Sequence, residues 1–69
     1  MAGKEINLKS ELEARVRQLL AIDKNAAEIY QDLANVVPDE KMKTIFRRLA
    51  KEEQGHVAMS QKILSLLGK

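Results

Sequence analysis

The chain has no cysteine, a single proline, three glycines and only two aromatic residues, one tyrosine and one phenylalanine. Without cysteine there are no disulfides, no zinc–thiolate sites, no iron–sulfur clusters and no thiol catalysis. The shortage of proline, glycine and aromatic residues also argues against a β-barrel or β-sandwich, whose turns and cores need them. These absences favour an all-α protein.

Other absences limit the partners of the chain. It has no apolar run long enough to cross a bilayer and no signal peptide, so we expect a cytoplasmic protein without a membrane partner. The net charge of +2 is small and evenly scattered, which predicts no nucleic-acid partner. With 69 residues, 45% of them hydrophobic and 32% charged, the chain suits one small, ordered helical domain.

Helix signals predict two long helices in this single domain, residues 1–69. Residues 1–9 have the composition of a loose lead-in, and Ser10 with Glu13 matches a capping box. Because a residue before proline disfavours helix, we expect helix 1 to run from about 10 to 37 and helix 2 from about 39 to 67. Gly68 is a plausible C-terminal cap.

Apolar residues recur in steps of three and four along both helices, which predicts helix-on-helix packing. Each of these two seams is interrupted at its middle, by Asp23 in helix 1 and by Glu53 and His56 in helix 2. The predicted seam of helix 1 is Leu12, Val16, Leu19, Asp23, Ala26, Tyr30, Leu33 and Val37. The predicted seam of helix 2 is Met42, Phe46, Leu49, Glu53, His56, Ser60, Ile63 and Leu67.

A short turn predicts an antiparallel hairpin in which partner residues have numbers that add to about 75 or 76. Asp23 then lies level with Glu53, and Tyr30 with Phe46. Buried carboxylates need a compensating cation or a close partner, and a metal ion supplies that charge. Further apolar residues flank both seams, so we expect the hairpin to dimerise into a four-helix bundle with a dinuclear carboxylate site. The flanking residues are Leu20, Ile22, Ala27, Ile29 and Val36 in helix 1, and Ile45, Val57, Met59, Leu64 and Leu66 in helix 2.

The motif Asp23-x-x-Ala26-x-x-x-Tyr30-x-x-x-Ala34, followed by Glu53-x-x-His56, resembles the helix pair of the ferritin-like superfamily. With one pair per chain, it is most similar to encapsulated ferritins, whose half-bundles dimerise around a ferroxidase site. Asp23 departs from the family, where the first ligand is usually glutamate. The resemblance covers residues 19–63.

The resemblance implies specific roles. Glu53 would bridge two irons per dimer, with His56 and Asp23 as terminal ligands; manganese or zinc could replace iron. Tyr30 would act beyond the ligands, as a hydrogen-bond partner or electron source. The implied activity is that of a ferroxidase or a rubrerythrin-like peroxidase, in a homodimer or higher homo-oligomer. An encapsulating shell or a redox partner is compatible with the resemblance.

Other interpretations of the same residues stay open. Glu53 and His56 match an ion pair on a solvated face, or Glu52 could pair with the imidazole from outside the seam. Asp23 also matches a polar residue that fixes helix register. The alternative function is therefore a metal-free helical dimerisation or protein-interaction module. A weaker alternative is a basic helical adaptor for nucleic acid, although we interpret its basic residues as a solvated face. Those residues are Lys41, Lys43, Arg47, Arg48 and Lys51.

Overall fold

The fold is an antiparallel pair of α-helices. The computed structural model describes residues 7–68, in which α1 spans Leu8–Val36 and α2 spans Glu40–Leu67. The two helices pack along each other in an elongated hairpin of 58 × 21 × 12 Å, and this described part contains no strand. The predicted all-α hairpin is confirmed. Within residues 7–68, neither helix combines the length and the hydropathy that crossing a membrane requires.

The first helix begins earlier than the capping signal predicts. Asn7 is the N-cap, and its side-chain oxygen accepts a hydrogen bond from the backbone N–H of Ser10 at 3.1 Å. The predicted Ser10–Glu13 capping box is therefore wrong, because Asn7 satisfies the free N–H groups first and Ser10 lies inside the first turn. The predicted lead-in, residues 1–9, is also too long, because α1 already begins at Leu8. Residues 1–6 lie outside the described part of the chain.

A three-residue connection, residues 37–39, reverses the chain. Val37 is extended, as expected for the residue before Pro38, and it caps α1 by donating its N–H to the carbonyl of Leu33. Asp39 is also extended, as N-cap residues usually are. Asp39 caps α2, since its Oδ1 accepts from Lys41 N–H at 2.7 Å and from Met42 N–H at 3.1 Å. At the other end of α2, Gly68 is the C-terminal cap, as predicted, with right-handed backbone angles.

Small side chains mark where the two helices approach most closely. Ala27, Ala34, Ala50 and Ser60 are the buried residues of the described chain, each at most 8% exposed. Larger half-buried side chains extend this contact to both ends of the hairpin. They are Val16, Leu20, Tyr30 and Leu33 in α1, Val37 just after it, and Phe46, Leu49, Val57, Leu64 and Leu67 in α2.

The predicted seam is therefore only partly correct. Leu12 and Leu19 in α1, and Met42, His56 and Ile63 in α2, are exposed rather than packed between the helices. Both helices are rotated so that Ala27 and Ala50, rather than bulkier neighbours, lie between the backbones. Alanine lets the backbones come together and brings more side-chain atoms into contact, which explains the rotation.

The exposed large hydrophobic side chains of both helices lie on one side of the hairpin. This holds for all eleven such side chains of residues 7–68. Each of these residues comes directly before a position that faces the other helix, so on both helices the stripe is rotated away from the contact in the same sense. Because the helices are antiparallel, this equal rotation places both stripes on the same side of the hairpin. The face, called the apolar face below, consists of Leu8, Leu12, Leu19, Ile22, Ile29 and Val36 in α1, with Met42, Ile45, Met59, Ile63 and Leu66 in α2.

Gly55 is a position in α2 where a substitution should stabilise the fold. Gly55 lies inside α2, and a Cβ built there meets no atom within 4 Å. Since glycine costs about 0.5–1 kcal/mol relative to alanine in a helix interior, Gly55→Ala should raise the free energy of unfolding by that amount. Urea denaturation of both proteins measures the change. A loss of stability instead would show that another chain approaches the backbone at Gly55.

Candidate metal centre

Three potential metal ligands converge at mid-length in the hairpin. Asp23, Glu53 and His56 each offer a ligand atom, and these atoms all lie within 4.8 Å of one another. Ligands of one first-row ion bind at about 2.0–2.2 Å, so a single ion can reach all three after small side-chain adjustments. The structure thus brings the sequence-predicted site residues together. Their role as ligands stays a prediction.

Each ligand is positioned by its helix. Asp23 is half-buried on α1, facing α2, and Glu53 projects from α2 with its side chain 21% exposed. His56 follows one turn later on the same helix, and its side chain is 63% exposed. The His56 Nδ1 lies 3.3 Å from Glu53 Oε1, because residues three apart on a helix are neighbours. One side of the triad is therefore covered by the hairpin, and the other side is open.

The charges of the triad are only partly compensated within the described chain. No lysine or arginine among residues 7–68 forms an ion pair with Asp23 or Glu53; within that range the side chain that contacts one of these carboxylates is the His56 imidazole, beside Glu53. Two half-buried carboxylates beside one imidazole favour a cation. Carboxylate oxygens and an imidazole nitrogen are donors that suit iron and manganese, and zinc also accepts them. The donor set fits the predicted metals.

The open side of the triad points toward the apolar face. His56 belongs to the same α2 stripe as Met59 and Ile63, with spacings of three and seven residues. Three protein donors leave coordination positions free on a six-coordinate ion. A further ligand could approach the triad from this open side.

The triad lies near the middle of both helices. Asp23 is the sixteenth of the 29 residues of α1, and Glu53 is the fourteenth of the 28 residues of α2.

Tyr30 lies one heptad from Asp23 toward the turn. Its ring stacks on that of Phe46, with centroids 6.3 Å apart and an interplanar angle of 24°. This contact, together with the proximity of Asp23 to Glu53, confirms the predicted register. Tyr30 is half-buried and is not part of the ligand group. Its direct structural role is packing, and a role toward bound metal stays a prediction.

Sequence reasoning missed which side of the hairpin carries His56. Heptad spacing alone does not distinguish the stripe that meets the other helix from the stripe beside it. The spacing of Ala27 and Ala34, one heptad apart, is the signal that identifies the contact stripe. Once these alanines face α2, His56 must lie at the edge of the contact, on the apolar face.

Comparison with protein-family models, curated proteins and solved structures finds no match to this chain. The ferritin-like resemblance therefore stays a prediction from its motif.

Proposed function

We propose that the protein is a dinuclear metal-binding protein of the ferritin-like class, with iron held at the interface of a homodimer. The observation that carries this proposal is the position of the triad, at mid-length and open toward an uncovered apolar face. Two hairpins that pair through this face form a four-helix bundle. They bring together two copies each of Asp23, Glu53 and His56, which matches the ligand inventory of dinuclear carboxylate bundles.

The size of the uncovered face supports a second copy as its partner. Among residues 7–68, three alanines and one serine are buried between the helices, which is little core for an independent domain. The same described residues leave eleven large side chains exposed on one side, whereas soluble monomers rarely expose large contiguous apolar patches. Pairing of two identical faces converts this surface into a bundle core.

The ligands would then have separate tasks. Glu53, the more deeply placed α2 carboxylate, would bridge the two ions, while Asp23 and His56 would each bind one. Iron held by these residues would supply redox chemistry, in which Fe(II) would be oxidised to Fe(III) while dioxygen or peroxide would be reduced. The surrounding apolar side chains would exclude bulk water, and Tyr30 would be available as a nearby hydrogen-bond or electron donor. Asp23 is one methylene shorter than glutamate, so it would bind one ion rather than bridge two.

Anaerobic titration with Fe(II), followed by metal analysis and sedimentation, tests the proposal. We expect about one iron per chain, hence two per dimer, and then oxidation to Fe(III) on addition of dioxygen or peroxide. A protein that binds neither iron nor manganese nor zinc would contradict it.

One observation favours the metal-free alternative. The 3.3 Å contact between His56 and Glu53 already gives one carboxylate a partner within its own helix. In a dimerisation module the polar triad would fix register, as buried polar residues do in coiled coils. In this function a second copy or a helix of a partner protein would cover the apolar face, and the titration would find no metal.

A further inference from the structure

Glu52 lies on the side of α2 that carries the apolar face. Steps of three and four through the face residues Met42, Ile45, Met59, Ile63 and Leu66 also pass through Leu49, Glu52 and His56, and Glu52 is the one acidic residue on this line. Glu52 is exposed in the hairpin, and it lies between Leu49 and His56 at the height of the triad. A second copy seated on this face would cover it. A covered carboxylate without a partner is costly, so Glu52 needs a hydrogen-bond donor in the assembled protein.

His56 is a donor on the same helix, one turn after Glu52. Helical side chains lean toward the N-terminus, so the imidazole lies above the turn that carries Glu52 and Glu53. Its Nδ1 faces Glu53 Oε1 at 3.3 Å, so Nε2 is available to a different partner. Glu52 is four residues before His56, and a carboxylate at that spacing can reach the ring.

We propose that Glu52 positions His56, its carboxylate accepting the N–H of Nε2 and holding the imidazole in the tautomer whose Nδ1 can bind metal. Metal-binding histidines usually donate their second ring N–H to a carboxylate, a carbonyl or water, and this partner fixes both tautomer and ring orientation. Glu52 is therefore not a ligand; it acts through His56. The inference rests on the proposed metal site, with Glu53 and Asp23 as the ligating carboxylates.

The first measurement needs no metal. His56 is the only histidine of the chain, so nitrogen NMR of the imidazole reports its tautomer without assignment ambiguity. With the ring neutral and metal absent, Glu52→Gln should lower the fraction of the Nε2–H tautomer relative to the unsubstituted protein. Glu28→Gln is the matched control, since Glu28 is an exposed glutamate of α1 outside the apolar face. The same tautomer fraction in all three proteins would overturn the inference.

The second measurement is Fe(II) affinity under anaerobic conditions. Glu52→Gln should weaken binding about 10–100-fold, the usual effect of losing the partner of a metal-binding histidine, with the stoichiometry unchanged. Glu28→Gln should bind like the original protein. A lower stoichiometry in Glu52→Gln would make Glu52 a ligand and overturn the positioning role. Weaker binding with an unchanged tautomer would also overturn it, because the carboxylate would then act through its charge alone.

The two measurements separate this inference from the proposed function. A tautomer change in a protein that binds no metal would refute the metal site and leave the Glu52–His56 contact standing. Normal metal binding that is insensitive to Glu52→Gln, with no tautomer change, would refute the contact and leave the metal site standing.

Discussion

Glu53→Gln should abolish iron binding while the chain stays helical. Glutamine keeps the shape of the side chain but loses the charge with which the bridging carboxylate would hold both ions. We expect a loss of affinity larger than the roughly 10–100-fold that follows removal of a partner of a ligand. The readouts are iron per chain in the anaerobic titration and far-ultraviolet circular dichroism of the same samples.

The effect of Fe(II) on the free energy of unfolding is a second test of this prediction. A ligand that binds only the folded state at 100 times its Kd adds about 2.7 kcal/mol to the free energy of unfolding. The original protein should gain stability of this order with Fe(II), and Glu53→Gln should gain none. Without metal the substitution should change stability by less than about 1 kcal/mol, because it only replaces a half-buried charge by a neutral isostere.

Glu13→Gln is a suitable control for Glu53→Gln. Glu13 is another half-buried glutamate, paired with Arg17 at 3.1 Å and remote from the triad. It should bind iron normally and lose at most about 1 kcal/mol, the usual limit for an exposed ion pair. If Glu53→Gln and Glu13→Gln retain equal amounts of iron, Glu53 is no ligand, and the metal-free dimerisation module becomes the better interpretation.

The level at which the ligands meet was predictable from the sequence. Val37 and Pro38 fix the position of the turn, and two uninterrupted helices then leave one antiparallel register, which places Asp23 beside Glu53 and Tyr30 beside Phe46. Both pairs depend on chain length and the helical rise, quantities that a sequence specifies well.

The rotation of each helix about its own axis was harder to predict. A stripe of leucine, isoleucine and methionine has the same period whether it faces a helix of the same chain or a second molecule. Here the small residues Ala27, Ala34 and Ala50 face the other helix, and bulkier residues such as Ile22 face outward. The helix start at Asn7 was missed for a local reason, since an asparagine and a serine three residues apart compete for the same capping role.

The apolar face gives the second prediction with a large effect: Ile22→Glu should separate the two copies. Ile22 is 61% exposed in the hairpin, so within one chain the substitution removes little packing. In the proposed dimer it places a charge in the bundle core, close to the height of Asp23. Loss of the isoleucine burial alone costs about 1.5–3 kcal/mol per copy.

Since a twofold dimer carries the change twice, the loss of burial amounts to about 3–6 kcal/mol, or roughly 10²–10⁴-fold in Kd, before the cost of burying the charge. Sedimentation equilibrium over a range of concentrations measures the shift from dimer to monomer, and thermal unfolding at the same concentrations measures the linked loss of stability.

The matched control is Ala21→Glu, which adds the same charge at the preceding exposed residue, outside the apolar face. It should sediment like the original protein. Equal behaviour of the two variants would show that no second copy covers this face. The triad would then keep its open side toward solvent, with three donors from one chain and no dinuclear site.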